Sequence, residues 1–148
     1  MVANLIAWKW PAVPQGDSVM QCLVDYGFGM TTASGMALRI ECAFTYRKSN
    51  SVPVLYDPNS DPALLGPVLS IVRSAVVNGF ADEAGALHME FSDGSTIDVL
   101  PDERYEAWTL AGPDGLLLVS LPGGGLARWR ADATPAAQDG DQPSSAPV

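Results

Sequence analysis

His88 is the only histidine in the 148-residue chain, and the stretch ALHMEFSDGSTIDVL around it sets its neighbours. Leu87, Met89 and Phe91 share one face of a first arm, and Ile97 and Val99 share a face of a second. Such alternation marks two half-buried strands. A two-residue Asp93-Gly94 loop pairs Phe91 with Thr96 and sets apolar against polar. A three-residue loop, Ser92-Asp93-Gly94, with Gly94 left-handed, matches the faces instead. Met89 then faces Ile97, Leu87 faces Val99 and His88 faces Asp98. A histidine beside a carboxylate is a base with its orienter. No nucleophile is placed by the same logic, and cross-strand His/Asp pairs are ordinary chemistry on an exposed sheet face. The pair is a candidate site with no catalytic assignment.

The densest group of interaction-type residues is PDERYEAW. Asp102, Glu103 and Glu106 are acidic, and Tyr105 and Trp108 are large amphipathic aromatics. Aromatics beside charge make interface anchors. Such aromatics are more often core than contact, but if the chain has a binding face, these five, with Trp129, are where it is expected. Glu103 and Glu106 also offer a carboxylate pair for acid–base work, against the plainer reading of local charge on a loop that leads into a strand.

Other motifs are weaker. VSLPGGGLARW places three glycines after a proline. A phosphate cradle uses N–H groups from a loop that opens a helix, followed by Lys or a hydroxyl. Here the loop runs into Leu-Ala-Arg-Trp, so it reads as a tight turn. DPNSD spaces Asp57, Asn59 and Asp61 as a calcium loop does. However, Pro62 replaces the required glycine and Val68 the terminal glutamate, so helix capping is the expectation. Cys22 and Cys42 fall in apolar strand patterns and read as buried thiols rather than a bridge. With His88 they match no zinc spacing. No metal or cofactor is expected.

The elements that position these groups are short strands joined by Gly- and Pro-rich turns. VMQCLVDY and FGMTT are strands, with Ala33-Ser34-Gly35 as the turn that follows. MALRIECAFTYRK reads as one strand, with Leu38, Ile40, Cys42, Phe44 and Tyr46 on one face and Arg39, Glu41, Ala43, Thr45 and Arg47 on the other. Asp61 caps a short helix that starts at Pro62 and stops at Gly66-Pro67. VLSIVRSAVV follows as a strand. YEAWTLAG, GLLLVSL and LARWR are strands too, the first two joined through Gly112-Pro113-Asp114-Gly115. From Ala131 the chain has little to bury and reads as a disordered tail, residues 131–148.

Gly16, Gly29 and Gly35 recur fifty residues on as Gly66, Gly79 and Gly85. GMALRIE resembles GALHME after one deletion. Two related halves, residues 16–50 and 66–100, would account for this. The expected fold is mainly β: a single domain over residues 1–130, an antiparallel sandwich or strongly bent sheet with one or two short helices. A partly open barrel is the alternative.

The formal net charge is −9. Such a surface repels nucleic acid and anionic membrane, and attracts basic partners. Asp132, Asp139 and Asp141 follow the last basic residue, Arg130, so part of the excess lies in the tail. The start, MVANLIAWKWP, lacks the basic segment of a secretory signal, and no apolar run is long enough to span a bilayer. A soluble cytoplasmic protein is expected.

Leu87, Met89, Phe91, Asp93-Gly94, VLPD at 99–102, YEAW at 105–108, PGGG at 122–125 and Trp129 also resemble an uncharacterised actinobacterial family of domains of unknown function, number 6188. The resemblance is clearest over residues 85–130. It implies no activity, cofactor or catalytic residue. Small acidic proteins of this type occur among the immunity proteins of bacterial toxin systems, an analogy of type only.

Three functions follow as expectations. The first is a non-enzymatic protein-binding module, of immunity or accessory type, that takes a basic protein partner. The second is a small apolar-ligand binder with a cavity between the sheets, lined by Phe44, Met89 and Trp108. The third is a hydrolase using Asp98 and His88, or Glu103 and Glu106.

Overall fold

The computed structural model describes residues 5–129. The tail expected at residues 131–148 lies outside them. Twelve strands run in chain order: β1 (Ile6–Lys9), β2 (Asp17–Val24), β3 (Phe28–Thr32), β4 (Ala37–Ile40), β5 (Phe44–Arg47), β6 (Val54–Tyr56), β7 (Ala75–Asp82), β8 (Leu87–Phe91), β9 (Thr96–Val99), β10 (Trp108–Ala111), β11 (Leu117–Ser120) and β12 (Leu126–Trp129). They form one antiparallel sheet in the order β12-β11-β10-β4-β3-β2-β7-β8-β9-β5-β6, and β1 pairs with β7. The sheet does not close into a barrel. It bends at the short β2–β7 pairing, Asp17 opposite Val76 and Ser18 opposite Ala75. One apolar cluster takes the inner faces of both halves. Phe28 of one half meets Phe44 of the other with ring centroids 5.6 Å apart.

Beyond β2 the chain crosses between halves twice. Residues 41–43 carry it from β4 to β5, and residues 100–107 from β9 to β10. The crossings meet where the Glu41 N–H donates to the Ala107 carbonyl at 2.9 Å. The segment MALRIECAFTYRK is therefore two strands rather than the one expected. β4 pairs with β3 and β10, while β5 pairs with β6 and β9. Leu38, Ile40, Phe44 and Tyr46 are all buried, as the alternation requires. The alternation keeps its phase through the break, so nothing in the pattern marks it.

The second correction concerns residues 62–73. Asp61 caps the segment as expected, its Oδ1 accepting the Ala63 N–H at 3.0 Å. Successive 3₁₀ turns then run from Pro62 to Arg73, through Gly66-Pro67. The strand expected from Val68 begins only at Ala75. Leu65, Val68 and Ile71 are the buried residues. Their spacing of three fits a helix of three residues per turn. The β-branched composition that suggested a strand gave way to that burial stripe.

The two glycine-turned hairpins, β3–β4 and β7–β8, match closely. Gly29 lies opposite Arg39 and Gly79 opposite Met89, the same register fifty residues on. Gly35 and Gly85 have φ of 101° and 94°, conformations that favour glycine. The buried faces do not match. The core takes Met30, Leu38 and Ile40 from the first hairpin, but Ala81, Leu87 and Met89 from the second.

Candidate functional site

The β8–β9 hairpin has the register read from its sequence: Leu87 opposite Val99, His88 opposite Asp98 and Met89 opposite Ile97. Gly94 has φ of 87°. His88 thus stands on the outer face, in a row that crosses five strands through Thr45, Asp98, Phe80 and Lys9. Its Nδ1 lies 2.6 Å from Asp98 Oδ1, as the pairing implies. Its Nε2 lies 2.9 Å from Glu90 Oε2. Glu90 was not singled out from sequence, although it sits two residues along the same strand and so on the same face. Burial disfavours the charged imidazole, but the hydrogen bonds to Asp98 and Glu90 outweigh it, and the His88 pKa is raised.

This geometry favours a doubly protonated ring that donates to both carboxylates. In that form the ring cannot accept a proton, and the pair then lacks the free nitrogen that a general base needs. The two carboxylates grip opposite edges of the imidazole and do not converge on one point. Among the described residues no set of three His, Cys, Asp or Glu groups is placed to hold a metal.

The expected binding face divides. Trp108 is fully buried, and its Nε1 donates to the Gly85 carbonyl at 2.9 Å. It belongs to the core, a correction that the alternation of Trp108 with Leu110 on β10 could have supplied. Burying so large a side chain stabilises the fold by about 3 kcal/mol. Phe44 and Met89 are core residues too. The three residues expected to line a cavity between the sheets pack against apolar neighbours instead.

Tyr105 is 67% exposed. Glu103 and Glu106 are exposed as well. Asp102 turns the loop, its Oδ1 accepting the N–H groups of Arg104 and Tyr105 at 2.8 and 3.1 Å. Trp129, 52% exposed, lies apart on the edge strand β12.

Tyr105 and Glu106 line an open groove of about 670 Å³, together with Tyr26, Glu41, Asn59 and Arg104. The β2–β3 turn, both crossings and the loop after β6 converge there. Asn59 is held by its Nδ2, which donates to the Glu41 carbonyl at 3.1 Å. Tyr26, 85% exposed, carries no sequence signal: it is a lone aromatic in a tight turn.

The glycine loop turns the chain. Its N–H groups are committed within the protein: Gly123 to the Asp102 carbonyl at 2.8 Å, Gly124 to Leu121 at 3.0 Å and Gly125 to Ala84 at 2.8 Å. No N–H of the three is left for a phosphate. Asp57 likewise spends its Oδ1 on the Asn59 N–H at 2.9 Å. Cys22 and Cys42 are free, and burial pushes each thiol up to about 11. They are half-buried rather than fully enclosed.

The molecule is thus an all-antiparallel β protein whose bent sheet encloses one core, with a loop-end groove and an acid–imidazole cluster on its surface. The chain belongs to the family of unknown function DUF6188, which matches residues 10–130. No curated protein and no solved structure matches it. No helix among the described residues is long and apolar enough to cross a membrane.

Proposed function

We propose that this chain is a non-enzymatic protein-recognition module, of immunity or accessory type, that takes a basic protein partner in its loop-end groove. One observation carries the reading. Two exposed tyrosines, Tyr26 and Tyr105, come from distant parts of the sequence to line one groove with Glu41 and Glu106. Tyrosine supplies contact area with a polar tip and is enriched at protein interfaces. The carboxylates and the formal net charge of −9 favour a cationic partner and steer its approach.

Two observations weigh against the other readings. His88 has both ring nitrogens engaged by carboxylates, which disfavours base catalysis. Phe44, Met89 and Trp108 are consumed by the core, which disfavours a ligand between the sheets.

Selection from a random displayed-peptide library tests the proposal. Peptides selected on the wild-type chain are expected to be rich in Lys and Arg and to weaken as salt rises. The double variant Tyr105→Ala, Glu106→Lys is expected to bind them about tenfold or more weakly, the scale of an interface anchor. Neutral or acidic selected peptides, or equal binding by the variant, would overturn the reading.

A further inference from the structure

The outer face of β7–β9 has recesses on either side of His88. One, of about 430 Å³, is of mixed polarity and reaches Arg47 and Thr96. The other, of about 320 Å³, is mostly apolar and is lined in part by Phe80 and Leu100, with Asp82, Glu90 and Asp98 among its lining residues. Phe80 packs beside His88 with ring centroids 5.2 Å apart. An aromatic wall and an aliphatic wall thus meet three carboxylates across a single imidazole. The other charged side chains of this face are Lys9, beyond Phe80 on β1, and Arg47, in the other recess.

We infer that the apolar recess seats an arginine side chain of a protein partner, its stem between Phe80 and Leu100 and its guanidinium on Asp98. The site uses different residues from the loop-end groove and stands independently of it. Three features favour arginine. A guanidinium matches a carboxylate with a two-pronged fork and stacks on an aromatic face, which an ammonium does less well. Its long apolar stem suits the walls. Its positive charge meets a recess whose lining holds three carboxylates, Asp82, Glu90 and Asp98, against one imidazolium.

The same geometry couples the site to the His88 proton. Asp98 is now held by His88 Nδ1, so an incoming guanidinium competes with the imidazolium for one carboxylate and repels it. Each cation then lowers the affinity for the other by the same factor. Arginine binding tightens as pH rises through the His88 titration and weakens below it.

The His88 ring resonances of the full chain, followed by NMR from about pH 5 to about pH 9, read this directly. The probes are blocked Gly-Arg-Gly and Gly-Lys-Gly peptides at matched ionic strength. The arginine peptide is expected to lower the His88 midpoint by about half a unit, a threefold loss of proton affinity. The lysine peptide should shift it less. Asp98→Asn should abolish the response and Phe80→Leu should reduce it, both judged in protein with native amide spectra. Tyr105→Ala should leave it unchanged, which separates this site from the loop-end groove. A midpoint that does not move, a shift that survives Asp98→Asn, or an equal response to lysine would overturn the assignment.

Discussion

The hairpins β3–β4 and β7–β8 share a turn and a register, yet their outer faces differ in kind. Counted from the turn, Leu38 corresponds to His88, Ile40 to Glu90 and Met30 to Phe80. The first of each pair lies in the core, and the second stands on the outer face. The outer face of β3–β4 instead holds Gly29, Thr31, Ala37 and Arg39 around a hollow of about 200 Å³. Its one cation is already engaged, with Arg39 at 2.8 Å from Asp25 and 3.2 Å from Glu41. Turn and register therefore do not decide where chemistry sits. The phase of the apolar residues relative to the turn decides it, because a shift of one residue exchanges the two faces of a strand.

The turns are also anchored differently, and their glycines give the largest test. A side chain at either φ carries strain of about 1–3 kcal/mol. At Gly35 an added methyl meets only the Pro113 ring, 3.7 Å away. At Gly85 it lies 2.5 Å from the Gly125 carbonyl oxygen and 3.0 Å from Ser120 Oγ. The Gly85 carbonyl also accepts from Trp108 and Ser120. Gly35→Ala is expected to cost roughly 2 kcal/mol and Gly85→Ala about 4 kcal/mol or more, by urea unfolding. Equal losses would mean that docking of the second turn against the glycine loop contributes nothing.

The first turn depends instead on a buried anion. Asp17 Oδ2 accepts from Trp10 Nε1 at 3.0 Å, Thr32 Oγ1 at 2.7 Å and Ser34 Oγ at 2.6 Å. Its Oδ1 accepts the Ser34 N–H at 2.9 Å. Burial raises the Asp17 pKa, but these bonds outweigh it, and the net shift is below the ordinary value of 3.8. Its contribution is present above that unfolded value and is lost as pH falls through the lower folded one. Asp17→Asn puts a donor among donors and is expected to cost about 2–3 kcal/mol near neutral pH. The variant should also lose less stability than the wild type below about pH 4. Asp82, which accepts from Ala84 and Ala86 at the second turn, is half-buried. Asp82→Asn is expected to cost under about 1 kcal/mol. A larger loss at Asp82 than at Asp17 would reverse the assignment of the anchors.

The same contrast explains what was legible in the sequence. The β8–β9 register could be read to the residue because both arms have a wet and a dry face and only one loop length aligns them. His88 and Asp98 followed from that alone. The break at residues 41–43 was hidden because apolar alternation survives it. The 3₁₀ segment is hidden because the Val- and Ile-rich run from Val68 suits a strand, while its burial stripe has a period of three. Trp108 is ambiguous from sequence because the local charge around it points to a contact while its alternation with Leu110 points to the core, where it lies. Tyr26 and the loop-end groove needed the topology, since no pattern along the chain brings residues 26, 41, 59 and 105 together.

The smallest effect is expected at His88. Its pKa is raised by partners that exist only in the fold. The protonated ring therefore stabilises the native state fully below the unfolded value of 6.5. That contribution disappears as pH rises through the higher folded value. Asp98 and Glu90 are about half exposed, so solvent screens the pairs. His88→Gln is accordingly expected to cost under about 1 kcal/mol at acid pH. The wild-type and variant unfolding free energies should converge as pH rises. The corresponding position of the first hairpin, Leu38, has no such titration, so any pH-dependent difference belongs to the face and not to the turn. A gap between wild type and His88→Gln that widens with pH would show that the carboxylates do not hold an imidazolium, and the contrast between the two faces would lose its electrostatic half.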